Sequence, residues 1–168
     1  MDIKIIRSNR KTLSLSVDDE LNAVVRAPFY VSSEKINAFV SNNAEWLERA
    51  AKRKETQLEK YNLTDAQLNN LMNSAREIIP ERVKYFSALM NLKPTGVKIT
   101  KAKKRFGSCS GKNSLCFSCY LMLYPIEAID YVVVHELAHI KHHNHSKDFY
   151  ALIYQYMPDY KQREKLLK

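Results

Sequence analysis

Apolar residues follow two different spacings along this 168-residue chain. At the start the period is two. Ile3 and Ile5 alternate with polar neighbours, Leu13, Leu15 and Val17 alternate with serines, and Ala23, Val25 and Ala27 follow an Asp18-Asp19-Glu20 turn. A period of two places alternate side chains on one face of an extended chain, so the first 28 residues are expected to form three short strands, arranged as a β-meander that Pro28 closes. The period then lengthens. Ser32 or Ser33 can cap a helix carrying Ile36, Phe39 and Val40, and after a break at Asn42-Asn43 a second, charged helix carries Trp46, Leu47 and Ala50.

Thr64-Asp65-Ala66-Gln67 has the form of a capping box, in which the threonine hydroxyl and the glutamine side chain satisfy each other's backbone amides. The helix it opens has a stripe of Leu68, Leu71, Met72, Ala75, Ile78 and Ile79, which resumes as Val83, Phe86, Leu89 and Met90. Pro80 removes a donor in the middle of that stripe and is expected to kink or divide the helix. Strand character returns at 97–100 and again at 114–123, separated by Gly107 and Gly111, and from Pro125 onward the chain reads as helix. Strands, helices, strands, helices is an α+β plan. The length suits a single domain, with 1–62 as N-terminal strands and helices and 63–168 as a catalytic core.

The last helical region holds the chemistry. All five histidines lie between positions 135 and 145, and they include His135-Glu136-Leu137-Ala138-His139, an H-E-x-x-H pattern. Residues four apart on a helix project side by side, so His135 and His139 can reach one ion, while Glu136 sits about 100° around the axis. That suits a glutamate acting on a water molecule beside a zinc ion rather than binding the ion. Two ligands are too few for a tight catalytic site. On a continued helix His145 would lie about 15 Å further along. A corner is therefore expected, with Asn144 in a left-handed cap and Ser146 capping a new helix that has Asp148 in its first turn. His145 is the third ligand this corner favours, with His142 and His143 as rivals. Beyond it, Phe149, Leu152, Ile153, Tyr156 and Met157 share one stripe and read as core. Tyr150 and Tyr154 lie on another side and can be either surface residues or donors to a scissile carbonyl.

Charge adds a second theme. The formal excess of +9 is accounted for by Arg82, Lys84, Lys93, Lys98, Lys101, Lys103, Lys104, Arg105 and Lys112, because 82–126 contains no Asp or Glu and the other 18 basic residues balance the 18 acidic ones. Such a segment is either a solvated face or a field that draws nucleic acid or an acidic substrate. Lys103, Lys104 and Arg105 are the candidates to meet a phosphate. Cysteine changes the picture little: Cys109, Cys116 and Cys119 are too few for a metal cage and odd in number, and they read as reduced, buried strand thiols. The charged N-terminus cannot be the apolar centre of a signal peptide, and no apolar run approaches the roughly 20 residues that span a bilayer. A cytoplasmic protein without a membrane segment is expected.

Taken together, Arg105-Phe106-Gly107-Ser108-Cys109-Ser110, Tyr131 to His139, Asn144-His145-Ser146 and Met157-Pro158-Asp159-Tyr160-Lys161 resemble the YgjP-like metallopeptidases, small zincins akin to SprT-like and WLM domains. Arg7-Ser8-Asn9-Arg10-Lys11-Thr12, Val25-Arg26-Ala27-Pro28 and Trp46 extend the resemblance toward the start. It implies a zincin-like α+β fold, zinc on His135, His139 and His145, and Glu136 as base. The family usually has Trp at the position of Phe106, and Asn and Arg where Ser118 and Tyr120 stand, in a strand that borders the substrate cleft. Tyr120 and Arg105 thereby join Tyr150 and Tyr154 as substrate-binding candidates. The expected function is a zinc-dependent peptidase acting on peptide or protein substrates. The alternatives are a metal-dependent phosphohydrolase acting on nucleotides, or a DNA-associated protease that uses the basic segment 82–126.

Overall fold

Three strands, β1 (Ile3–Ser8), β2 (Ser14–Val17) and β3 (Ala23–Pro28), make the first sheet in the order β1-β3-β2. β1 runs parallel to β3 and β2 antiparallel to it, so the expected meander is not formed. Burial explains the order. Ala23, Val25 and Ala27 are wholly inaccessible and Val24 nearly so, whereas β1 leaves Ile3, Ile5 and Ile6 exposed. The strand that is apolar on both faces takes the centre, and the strands with one buried face take the edges. Ile36 and Val40 of α1 (Ser33–Ser41) and Leu47 of α2 (Ala44–Lys60) complete that core. Ser32 caps α1, its hydroxyl accepting from Lys35 N at 3.4 Å, and the break falls at Asn42-Asn43.

The computed structural model describes residues 1–167, in which Met1–Asn62 forms one compact unit and the chain from Leu63 onward a second. The second begins with α3 (Asp65–Met90), and its capping box is formed: Thr64 Oγ1 accepts from Gln67 N at 3.3 Å and Gln67 Oε1 accepts from Thr64 N at 2.9 Å. α3 passes Pro80 undivided. Met72, Ala75, Ile79, Val83, Phe86 and Met90 keep one buried stripe in register across the proline. The carbonyl that Pro80 leaves without a donor belongs to Arg76, on the exposed side, where water can satisfy it.

A second sheet follows, from β4 (Gly96–Thr100), β5 (Gly107–Cys109) and β6 (Ser114–Ser118) in the order β4-β6-β5, with β4 parallel and β5 antiparallel to the central β6. The strand expected over 114–123 stops at Ser118. There the serine hydroxyl accepts from Tyr120 N at 3.2 Å and starts a 3-10 turn over Cys119–Leu123. Cys119 is buried in that turn rather than in a strand; Cys109 and Cys116 are half-buried, and all three thiols are free. β5 replaces what the glycines suggested was a spacer.

Three helices complete the unit: α4 (Ile126–Ala138), α5 (Lys147–Tyr156) and α6 (Tyr160–Lys165). α4 packs against α3, α5, α6 and β5, which is why nearly every residue from Ala128 to Ala138 is buried, whatever its face. Its one buried aspartate is matched. Asp130 accepts from Arg82 Nε at 2.6 Å and Arg82 Nη2 at 2.8 Å, and Arg163 Nη1 lies 3.6 Å away. A bidentate pair of this kind ties α3, α4 and α6 together, and removing one partner from a buried pair costs about 3–5 kcal/mol because the other charge is left uncompensated. With six α-helices and two three-stranded sheets among the described residues, the chain is a mixed α+β protein.

Candidate metal centre

The H-E-x-x-H segment occupies the last turns of α4, with His139 at the C-cap. The helix stops there rather than near Asn144. Lys141 N and His142 N both donate to the Ala138 carbonyl, at 3.1 and 3.0 Å, and turn the chain away from the axis. Asn144 is not left-handed, since the positive φ values outside glycine are at Leu21, Asn91 and Asn113. Seven residues between Ala138 and Ser146 are enough to reverse direction without a left-handed cap. Ser146 does start α5, accepting from Phe149 N at 3.4 Å.

This corner brings His145 back to the helix. One ligand atom each from His135, His139 and His145 lies within 4.8 Å of the others, and His145 Nε2 is 3.1 Å from His135 Nε2. His142 contributes its carbonyl instead, 3.0 Å from His139 Nδ1. As a donor to that carbonyl, His139 Nδ1 carries the ring proton and leaves Nε2 with its lone pair. Phe149 backs the cluster, its ring centroid 4.9, 4.5 and 4.9 Å from those of His135, His139 and His145. Burial, then the neighbouring His139 and His145, pushes His135 down to about 4, and burial chiefly lowers His139 as well. Both rings are therefore neutral at pH 7, the form in which imidazole binds a metal. Three converging imidazole nitrogens from one corner fit a first-row dication of the zinc type, and His135 Nδ1 is buried with no partner among the described residues.

Glu136 is 6% exposed, and burial pushes its carboxyl up to about 7 against the opposing charge of Arg105. β5 lies directly against it. A Cβ built on Gly107 would come within 2.6 Å of Glu136 Cγ and Oε1. Only a residue without a side chain lets the edge strand pass so close, and the need is for space, since Gly107 does not have a positive φ. A cavity of about 250 Å³ opens beside this contact, lined by Phe106, Gly107, Tyr131, Val132, His135, Glu136, Glu164 and Leu167.

The four substrate-binding candidates separate. Tyr150 stands near the cluster, its ring 6.2 Å from that of His145, and Arg105 is close enough for its charge to act on Glu136. Tyr154 is 60% exposed, and Tyr120 is 3% exposed in the 3-10 turn, where the Lys103 ammonium lies 5.8 Å from its ring. Sequence reasoning passed over Gly107, Tyr131 and Glu164. Tyr131 had a signal, being four residues before His135 on the same helix, and its ring is 5.8 Å from that imidazole. Glu164 had none.

Residues 57–168 match the family described as "YgjP-like, metallopeptidase domain". Two solved structures are similar: the metallopeptidase zymogen of Pyrococcus abyssi abylysin (20% identity, TM-score 0.48) and that of Methanocaldococcus jannaschii jannalysin (23% identity, TM-score 0.47). Each alignment covers 52% of this chain and 90% of the other. Comparison with curated proteins gives no match. No helix among the described residues is long and apolar enough to cross a membrane.

Proposed function

The chain belongs to the YgjP-like metallopeptidase family, and on that footing we propose that it hydrolyses peptide bonds at a zinc ion held by His135, His139 and His145, with Glu136 as the proton-transfer group. The observation that carries this reading is the convergence of the three imidazole nitrogens within 4.8 Å beside a buried glutamate. Zinc bound there supplies a Lewis acid and brings the pKa of a coordinated water to roughly 7. The remaining chemistry falls to the chain. His139 is held in the ligating tautomer by the His142 carbonyl. Glu136 takes a proton from water at its carboxylate and returns it to the leaving nitrogen, and its burial raises its affinity for that proton. β5, an edge strand of the second sheet, would offer backbone hydrogen bonds to an extended peptide beside that carboxylate. A substrate cannot add along 114–118, because β6 already has a neighbour on each side.

The phosphohydrolase alternative has less support. It needs cations gathered at the ion, yet Lys103 sits over Tyr120, and Arg105 is the one basic residue whose charge acts on Glu136. A nucleic-acid face along the basic segment likewise has less support, since Arg82, one of its nine cations, is engaged with Asp130. The direct test is to strip the protein with a chelator and supply it with a quenched-peptide mixture and a nucleotide panel before and after adding one equivalent of zinc. Zinc should restore peptide cleavage alone. Restored nucleotide hydrolysis without peptide cleavage would reject the peptidase reading.

The contact at Gly107 gives a second test. Gly107→Ala should leave zinc stoichiometry intact and lower kcat on order of a hundredfold, because the new methyl must displace the Glu136 carboxylate and misplacement by about 1 Å costs that much. Unchanged kcat would mean the carboxylate need not be where β5 holds it.

A further inference from the structure

The cavity beside Glu136 has an uneven lining. Phe106, Val132, Leu167 and the ring of Tyr131 make apolar walls, and the one charged group other than Glu136 is Glu164. Among the described residues, no lysine or arginine lines it. Glu164 forms no ion pair among the described residues, although it belongs to a helix rich in cations. Those cations are committed elsewhere or turned outward: Arg163 donates to Asp159 at 2.8 Å and approaches Asp130 at 3.6 Å, the Lys161 ammonium lies 6.0 Å from the Tyr160 ring, and Lys165 is exposed.

The position of Glu164 is set rather than incidental. α6 is fastened to α4 through Arg163 and Asp130, and Tyr160 at its start stacks on Tyr131 at 6.5 Å and on Tyr150 at 6.0 Å. Tyr131 therefore stands between the cluster and α6, its ring 5.8 Å from that of His135 and 6.5 Å from that of Tyr160. An apolar-walled recess with a phenol hydroxyl and a carboxylate that has no ion pair among the described residues matches a side chain that has an aliphatic stem and a cationic tip.

We propose that this cavity is the specificity pocket of the enzyme and takes a lysine or arginine side chain of the peptide substrate, with Glu164 as its counter-charge. The proposal rests on the peptidase reading for its substrate class. An acidic pocket sets this site apart from the basic segment 82–126, whose positive field works against cationic peptides.

The test uses N-acetylated, internally quenched peptides that differ at one position: lysine, arginine, norleucine or glutamate. Zinc-loaded wild type should cleave the lysine and arginine peptides with kcat/KM about tenfold above the norleucine peptide, the effect of one charge-assisted contact. Glu164→Gln should bring that ratio close to one, and Glu164→Lys should move the preference to the glutamate peptide. A ratio that survives Glu164→Gln, or no preference in the wild type, would overturn the proposal. Equilibrium binding of the same peptides to zinc-loaded Glu136→Gln protein separates the two readings. Selective binding of lysine without cleavage by the wild type would sink the peptidase reading and leave the pocket assignment standing, whereas cleavage without selectivity would do the reverse.

Discussion

Glu136→Gln protein should bind about one zinc per chain and lose peptide turnover by a factor on the order of a thousand. The side chains are nearly isosteric, so the close passage of β5 at Gly107 and the packing of α4 are preserved. What disappears is a group able to accept and return a proton. The amide also removes the penalty of burying a charge, which is the penalty that holds the Glu136 carboxyl near 7. The variant should therefore be no less stable than the parent without metal. Zinc content by mass spectrometry under native conditions, thermal melting and peptide turnover measured on one preparation decide the matter. Zinc lost together with activity would make Glu136 a ligand, and the roles assigned to this helix would have to be redrawn.

His145→Ala should weaken zinc retention a hundredfold or more, since each ligand of a tight site carries roughly 3 kcal/mol of the binding free energy. His142→Ala and His143→Ala should change affinity little. The contrast is sharpest at position 142, where the group that orients His139 is the backbone carbonyl, and alanine retains it. Competition with a chromogenic chelator reads all three variants. An emptied site in His142→Ala with zinc kept in His145→Ala would mean that the corner closes differently around the metal.

The parts of this molecule that were legible from sequence are those whose physics is local. A capping box needs four consecutive residues, and Thr64 to Gln67 contain all of it. The side-by-side histidines of α4 follow from helix geometry alone, and Ser146 announces its helix by residue type. The corner was foreseen but its mechanism was not, because a left-handed asparagine is one of several ways to end a helix and the stretch from 139 to 145 was long enough to manage without it. Pairing was the weak point. Alternation tells which face of β1 and β2 is apolar but not which neighbour each will take. The decisive clue was the doubly apolar β3, with Val24 buried alongside Ala23 and Val25. β5 escaped because three residues headed by a glycine show no period, although Gly107 is there to admit Glu136. Glu164 lies 28 residues after Glu136 with no periodicity to link them, and only the packing of α6 on α4 brings it to the cavity.

The three histidines span only 11 positions of the chain, from 135 to 145. Closing so short a loop costs little conformational entropy, and none of the closure depends on distant strands having paired first. An ion held there would be a staple across one corner rather than a keystone of the whole fold. Hydrogen exchange on metal-free protein should show faster exchange confined to residues around 139–150, with the amides of α3 and β6 as slow as before, and zinc should be exchangeable without global unfolding.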